Sequence, residues 1–305
     1  MAIERHNTNI KIGLDWIWVN CVENEIKTME TIMLPKIKEG VKLALGSLSY
    51  NNFRGYLNAE FIGRDVNVSY TLLYYSNLFG FSSYKTDYNT PFDILIEMRS
   101  RSRPDENFQG SLRMTKLLGH YLLNYIKTAI LLRDSEAKAF YASIEPRTSI
   151  PDNHIYQLYE QDLEQLLILL CGKDEDKIIT HLQKIQSFDY LGFLKTTRYQ
   201  TSFSVPIIEH LLVPSVEVLL SIFEDKKEIF NEVLEKALLQ HKAYYEADDE
   251  YNESRRGKPE GWVSLLLTCA CAIAHDKGIK REVASDYIPE WLVKGDFEGL
   301  ELVVE

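Results

Sequence analysis

The spacing of apolar residues follows a helical period along most of the chain. In the segment DLEQLLILLC, four leucines recur at the i, i+3, i+4, i+7 positions of a helix that buries one face; they are Leu163, Leu166, Leu167 and Leu170. Gly172 follows directly and ends this pattern, because glycine is a poor helix former. A second helix is predicted from Glu175 to about Ser187.

Longer apolar segments predict further helices. Ser111–Leu132 reads as one long helix with Ser111 in the N-cap position. From about Ser215 a helical pattern runs on, either as one long helix or as two helices broken near Glu224 to Lys226. A last apolar helix begins at Gly261 or Trp262, and Gly278 stands where a left-handed C-terminal cap is expected.

Signals for β-strands are few. The sequence contains no Asn-Gly or Asp-Gly hairpin turn, and segments such as DVNVSYTLLYY suit a helix as well as a strand. We therefore predict an all-α fold, built as a multi-helix bundle or as stacked helical hairpins, with little or no β structure. We divide it into an N-terminal helical region, residues 1–110, and a C-terminal helical domain, residues 111–305, or treat both as one continuous domain.

Composition is that of a protein that folds without disulfides or metal. The chain has 305 residues, of which 45% are hydrophobic, enough to fill a sizeable core. Its four cysteines are scattered, which is typical of reduced thiols. The N-terminal sequence shows no signal-peptide pattern, and we find no apolar run approaching the roughly 18 to 20 residues that cross a bilayer. We expect a soluble, cytoplasmic protein with no membrane partner.

The net charge of −11 is concentrated in the last third of the chain. Residues 214–305 hold 20 acidic and 11 basic residues, whereas residues 1–213 hold 25 and 23. Such a balance argues against nucleic acid as a partner and favours a basic protein. The densest acidic run, YYEADDEYNE, is either a solvated loop or helix end, or a docking surface for a cationic protein. Its candidate partner-binding residues are Tyr244, Tyr245, Glu246, Asp248, Asp249, Glu250, Tyr251 and Glu253.

The apolar helix near the C-terminus carries residues that could suggest catalysis or metal binding. Cys269 and Cys271 lie about 200° apart on a helix, so they cannot both face one metal ion. Cys271 and His275 do share a face, but no oxyanion donor, third orienting residue or glycine-rich elbow accompanies them. We read both cysteines as core.

The adjacent pair His275-Asp276 is similar to the metal-binding pair of the HD-domain phosphohydrolases, which are also all-α. A divalent cation would need further ligands there. His241 lies upstream, but only Asp286 and Asp296 follow, so the set is incomplete. The alternative is that the pair closes the helix, with the imidazole near the negative end of the helix dipole. We therefore predict no catalytic residue, metal ion or cofactor.

The segment from Arg255 to Gly295 resembles the signature of the immunity protein family numbered forty-nine in bacterial polymorphic toxin systems. The resemblance rests on an arginine pair, a Pro-Glu-Gly helix start, an Ala-His-Asp-x-Gly-Ile helix end and a Pro close. The motif residues are Arg255, Arg256, Pro259, Glu260, Gly261, His275, Asp276, Gly278 and Pro289. The resemblance implies a non-enzymatic, cytoplasmic antidote that binds and blocks a cognate protein toxin.

The acidic charge favours a basic toxin, with a nuclease as the first choice. Two alternatives stay open, namely a metal-dependent HD-like phosphohydrolase built on His241, His275 and Asp276, and a helical scaffold in another complex. The oligomeric state and the role of residues 1–210 are left open.

Within the signature, we expect Arg255 and Arg256 to pair with nearby carboxylates, either Glu260 or the acids of the run. We also expect the apolar residues Trp262, Leu265, Leu266, Cys269 and Ile273 to be core and not contact surface.

Overall fold

Helices make up almost all of the regular structure. The computed structural model describes residues 2–6, 13–38, 45–87, 119–144, 158–190, 192, 204–247 and 255–304. Within these ranges the only strands are the two-residue elements β1 (Ala2–Ile3) and β2 (Ala284–Ser285). The prediction of an all-α fold is confirmed.

Contacts divide the chain into two compact units that are each discontinuous in sequence. Unit 1 comprises Met1–Asn9 and Ala129–Asp296, and unit 2 comprises Ile10–Thr128 and Phe297–Glu305. The predicted division into regions 1–110 and 111–305 stays a prediction.

Unit 2 begins with a continuous helical stretch, residues 14–38, in which π-helical turns alternate with α-helix. Its parts are α1 (Leu14–Ile17), a π turn (Trp18–Glu23), α2 (Asn24–Thr28), a second π turn (Met29–Met33) and α3 (Leu34–Lys38). Two longer helices follow, α4 (Leu45–Ile62) and α5 (Val66–Asp87). The segment DVNVSYTLLYY, which suited strand or helix, is helical because it lies within α5.

The core of unit 2 lies between α4, α5 and the N-terminal helical stretch. Ser49 Oγ donates a hydrogen bond to the carbonyl of Ser76 over 2.6 Å, so α4 and α5 are linked by a buried polar contact. The apolar core contains Met29, Leu34, Ile37, Leu45, Leu48, Tyr75, Phe79 and Val304.

Unit 1 contains the helices of the C-terminal part of the chain, and α6 (Gly119–Leu131) crosses from unit 2 into it. These helices are α7 (Ser135–Ala142), α8 (Leu158–Cys171), α9 (Glu175–Ser187), α10 (Ser204–Ile207), α11 (Val213–Phe223), α12 (Phe230–Glu246), α13 (Leu265–Asp276) and α14 (Glu290–Lys294). A π turn, Ile208–Leu212, joins α10 to α11.

Several helix ends lie where the sequence predicts them. Helix α8 ends at Cys171, directly before Gly172, and α9 begins after Asp174, whose carboxylate accepts the Lys177 N–H over 3.2 Å. Helix α11 ends at Phe223, and Asp225 adopts a positive φ of 56°. The predicted break is therefore real, and the alternative of two helices is correct.

One helical segment corrects the expectation about membrane-spanning length. Val205–Phe223 is long and apolar enough to cross a bilayer by length and composition, and 56% of that window is buried within the protein. The sequence reading missed it because Pro206, Glu209 and Pro214 interrupt the apolar run. Core helices of soluble proteins meet the same criterion, and this segment packs against α9 and α12.

Candidate functional site

The acidic run starts at the C-terminal end of α12. Tyr244, Tyr245 and Glu246 belong to that helix, while Asp248, Asp249, Glu250, Tyr251 and Glu253 lie outside the described residues. The side chain of Glu246 is 42% exposed and lies 4.0 Å from the Lys242 ammonium group. Of the predicted binding surface, the structure therefore places these first three residues.

Two arginines that follow the run bind the end of α12. The Arg255 guanidinium carbon lies 4.4 Å from the centroid of the Tyr244 ring, and its Nη1 donates to the Tyr244 carbonyl over 3.4 Å. Arg256 Nε donates to the Glu246 carbonyl over 2.9 Å. The last carbonyls of a helix have no partner inside it, and cations are favourable there. Both arginines thus act within unit 1, on carbonyl oxygens of α12. Their pairing with carboxylates of the run stays a prediction, because Asp248 to Glu253 lie outside the described residues.

Tyr245 points into unit 1. Only 8% of it is exposed, and its ring centroid lies 4.8 Å from that of His241. A Cβ atom added to Gly261 would lie 2.4 Å from Cδ1 of Tyr245, so no side chain fits at position 261 without a shift. This close approach of a ring to the backbone explains the glycine of the Pro-Glu-Gly motif.

Two histidines and two tyrosines, His6, His241, Tyr245 and Tyr287, form a buried cluster that we call the histidine–tyrosine cluster. The His6 N–H donates to Tyr287 Oη over 2.7 Å, and His6 Nδ1 lies 3.0 Å from the same hydroxyl, which can donate to it. His6 Nε2 donates to the Arg256 carbonyl over 3.2 Å. These bonds can be made by a neutral imidazole, and burial lowers the pKa of His6 below its ordinary value.

His241 is also held neutral. Its Nε2 donates to the Gly261 carbonyl over 3.2 Å, and burial lowers its pKa to about 4. The imidazole is shielded from solvent, because His241 is only 5% exposed. His241 therefore serves the packing of α12 against the Pro-Glu-Gly turn.

Helix α13 is buried on more than one side. Trp262, Leu265 and Cys269 are buried as predicted, whereas Leu266 and Ile273 are only partly buried, so the prediction is wrong for these two. Leu267, which is not among the predicted core residues, is 2% exposed. Helix α13 contacts α11, α12 and α14, so its buried surface extends to Leu267.

The cysteines of α13 are core residues. Cys269 and Cys271 are both almost fully buried, and burial raises the pKa of Cys271 to about 12. The His275 side chain, one turn away, is 49% exposed at the end of the helix. A thiol with so high a pKa does not form the thiolate that nucleophilic catalysis needs.

The C-terminus of α13 is closed by backbone bonds around Gly278. This residue has φ 74°, its N–H donates to the His275 carbonyl over 2.9 Å, and the Ile279 N–H donates to the Ala274 carbonyl over 2.8 Å. The two bonds form a Schellman cap, which favours glycine because of the positive φ. Pro289 occupies the N-cap position of α14.

Asp276 is engaged by Arg133, a residue that the sequence reading missed. Arg133 Nη2 lies 3.2 Å from Asp276 Oδ1 and donates to the Val293 carbonyl over 2.6 Å. Arg133 Nη1 donates to the Leu131 carbonyl over 2.7 Å and also to that of Leu292. One guanidinium thus joins the ends of α6, α13 and α14. Nothing local marks it in the sequence, because most of its partners are over 140 residues away.

The ligand set of the phosphohydrolase alternative is not assembled. His241 is bonded inside the histidine–tyrosine cluster, whereas Asp276 is paired with Arg133. In the described ranges, no group of three or more His, Cys, Asp or Glu side chains is arranged to hold a metal ion.

Comparison with known proteins gives one match. No curated protein matches the chain, and no solved structure matches it. A family model described as Immunity protein 49 matches residues 194–292, which is less than half of the chain. The matched segment includes the acidic run, the arginine pair, the Pro-Glu-Gly turn, α13 and Pro289. Residues 194–292 therefore carry the signature of immunity protein 49, in agreement with the family that the sequence motifs indicate.

Proposed function

We propose that this protein binds and neutralises a cognate bacterial toxin in the cytoplasm, and that the toxin is a basic protein of the nuclease type. The observation that carries the proposal is the match to immunity protein 49 over the segment where the acidic surplus lies. Proteins of this family are generally non-enzymatic. A stoichiometric inhibitor needs a complementary surface, and it does not need a catalytic set.

The internal bonding of the conspicuous side chains supports a binding role. His241 is neutral and buried, Cys271 is a buried thiol, and Asp276 is paired with Arg133. Each of these residues stabilises the junction between helices, so none is left to activate water or a nucleophile.

We assign capture of the toxin to the acidic run, residues 244–253. The run leaves α12 beside Glu246, and the two arginines that follow it are fixed to the carbonyls of Tyr244 and Glu246. The chain is therefore anchored at both ends of the run. Its carboxylates steer a basic partner. Tyr251 supplies apolar contact area, because Tyr245 is occupied in the histidine–tyrosine cluster.

The test is the rate at which the protein associates with a basic toxin encoded beside it, measured by stopped-flow at low and at near-physiological salt. The test variant neutralises four acids, through Glu246→Gln, Asp248→Asn, Asp249→Asn and Glu250→Gln. A matched control neutralises four acids at the opposite end of α12, through Asp225→Asn, Glu228→Gln, Glu232→Gln and Glu235→Gln. Both variants change the net charge equally.

We expect the test variant to associate about tenfold more slowly at low salt and to lose most of its salt dependence, because steering depends on local charge. The control should change far less, and both variants should unfold like the wild type. Equal association rates for the two variants would place the toxin on another face. Failure of the wild type to protect cells that express the toxin would contradict the proposed function itself.

A further inference from the structure

Exposed apolar side chains in the described part of the chain are concentrated on one element of unit 2. Of eight large hydrophobic residues that are exposed there, four lie on the helical stretch 14–38, and a fifth, Val66, begins α5. The four are Leu14, Trp16, Val19 and Ile32, each more than 40% exposed. Single exposed apolar residues are ordinary, but a group on one helix indicates an interaction surface.

A groove lies along the same stretch. It has a volume of about 470 Å³ and is lined by Trp18, Val22, Glu23, Ile26, Lys27, Glu30, Thr31 and Val68. Its Trp18 wall is fixed, because the indole N–H donates to Glu23 Oε1 over 2.6 Å and the Arg64 guanidinium carbon lies 5.3 Å from the indole ring. Arg64 is in turn paired with Asp15. The groove is therefore preformed.

The groove and two of the exposed residues lie along the same helical stretch. Glu23, Ile26 and Glu30 line the groove, and Trp16 and Val19 are exposed on the preceding turns. Both carboxylates are exposed, and seven residues of helix separate them by about 10 Å. Both π turns, which often mark functional sites, lie in this stretch. We call this surface, with the groove, the acidic–apolar stripe.

We propose that the acidic–apolar stripe is a second docking surface, which takes a basic amphipathic helix of a partner protein. Apolar side chains of that helix fill the groove, and lysine or arginine residues two turns apart meet Glu23 and Glu30. This inference rests on the proposed function only in naming the toxin as that partner. The surface lies outside the matched residues 194–292 and gives unit 2 a role.

Charge decides between a basic partner and other occupants of an apolar groove. In a symmetric pair of copies each partner presents the same patch, so the carboxylates of one stripe would face those of the other. An anionic membrane surface would repel the same carboxylates. The charged residues that line the groove are Glu23, Glu30 and Lys27, so the lining has a net negative charge.

The experiment measures binding of a fluorescent synthetic helix to the full-length chain by anisotropy. The probe is an amphipathic leucine–lysine peptide of about five turns, and its control is the same peptide with glutamate in place of lysine. One test variant carries Trp16→Ala and Val19→Ser, and a second carries Glu23→Gln and Glu30→Gln. Matched controls are Leu239→Ser, an equally exposed apolar residue in α12, and the pair Glu232→Gln and Glu235→Gln.

We expect each test variant to bind the leucine–lysine peptide about tenfold more weakly, and the controls to bind within about twofold of the wild type. Circular dichroism checks that all variants are folded, which is expected because none of the replaced residues is buried and those of both test variants are exposed. Equal weakening in test and control variants would show only general attraction to an acidic protein and would overturn the proposal. So would equally tight binding of the glutamate peptide, self-association abolished by Trp16→Ala, or binding to anionic vesicles through this face.

Two results would distinguish the docking surface from the immunity role. Protection from the toxin without peptide binding would remove the second surface and keep the immunity role. Peptide binding at the stripe without protection would keep the surface and remove the toxin as its partner.

Discussion

Replacement of Gly261 by alanine tests whether the approach of Tyr245 to the backbone holds unit 1 together. The new Cβ would lie 2.4 to 2.7 Å from three ring atoms of Tyr245, whereas carbon atoms in contact lie about 3.5 to 4.0 Å apart. The ring or the turn must therefore move by about 1 Å. Since the ring is 8% exposed and packs on His241, it has little room to move.

Gly261→Ala should lower the free energy of unfolding in two ways, by overpacking a buried site and by weakening a hydrogen bond. Overpacking of a buried site costs about 1 to 3 kcal/mol, and loss of the bond from His241 to the Gly261 carbonyl adds about 1 kcal/mol. We expect Gly261→Ala to lower the free energy of unfolding by about 2 to 4 kcal/mol. In a unit of this size, that lowers the melting temperature by roughly 5 to 15 °C.

The assay is thermal and urea unfolding followed by far-ultraviolet circular dichroism. Gly257→Ala is the matched control, because no heavy atom lies within 4 Å of a Cβ added there, so its melting temperature should stay the same or rise slightly. In a Tyr245→Ala background the obstacle is gone, and Gly261→Ala should cost less than about 1 kcal/mol. Equal melting temperatures for Gly261→Ala and Gly257→Ala would refute this explanation. So would an equal loss of unfolding free energy from Gly261→Ala in the wild-type and Tyr245→Ala backgrounds.

Three further predictions concern side chains that are buried or partly buried. Burial holds the pKa of His241 near 4, against an ordinary 6.5, so the folded state binds fewer protons than the unfolded state between these pH values. The neutral His241 therefore contributes about 3 kcal/mol to the free energy of unfolding above pH 6.5, and this contribution is lost as the pH falls to 4. His241→Gln should remove this part of the pH dependence in urea unfolding. Leu267→Ala should lower the free energy of unfolding by about 2 to 5 kcal/mol, and Leu266→Ala by clearly less, as compared by urea titration. Arg133→Lys should lower the free energy of unfolding by about 1 to 3 kcal/mol, because lysine cannot bond several carbonyls and Asp276 in one plane. Faster hydrogen exchange at the end of α14 should report this loss.

Features set by neighbouring residues could be predicted from the sequence. The end of α8 before Gly172 and the start of α9 depend on local propensity and capping. The break after Phe223 likewise depends on a few consecutive residues. The family signature is local as well, since its motifs are short and continuous.

Features set by distant packing could not be predicted. Tyr244 and Tyr245 look alike in sequence, yet only the second is deeply buried, because the Pro-Glu-Gly turn and His6 pack around it. The partners of Arg133 lie at the ends of three helices, and periodicity within one helix does not reveal them. Leu267 is buried because α13 contacts three other helices, and the sequence of α13 alone does not show where those helices pack.

The pairing of the two short strands sets an order of events during synthesis. Ala2–Ile3 pairs with Ala284–Ser285, and the His6 N–H bonds to the hydroxyl of Tyr287, 281 residues later. At ribosomal rates of about 5 to 20 residues per second, the N-terminal strand waits roughly 15 to 60 seconds for its partner to be made. Residues 10–128, by contrast, are synthesised long before unit 1 can close, although unit 2 also includes Phe297–Glu305. During that interval His6 is still exposed to water, so a chain stalled before residue 287 would leave the histidine–tyrosine cluster unfinished and open to proteases.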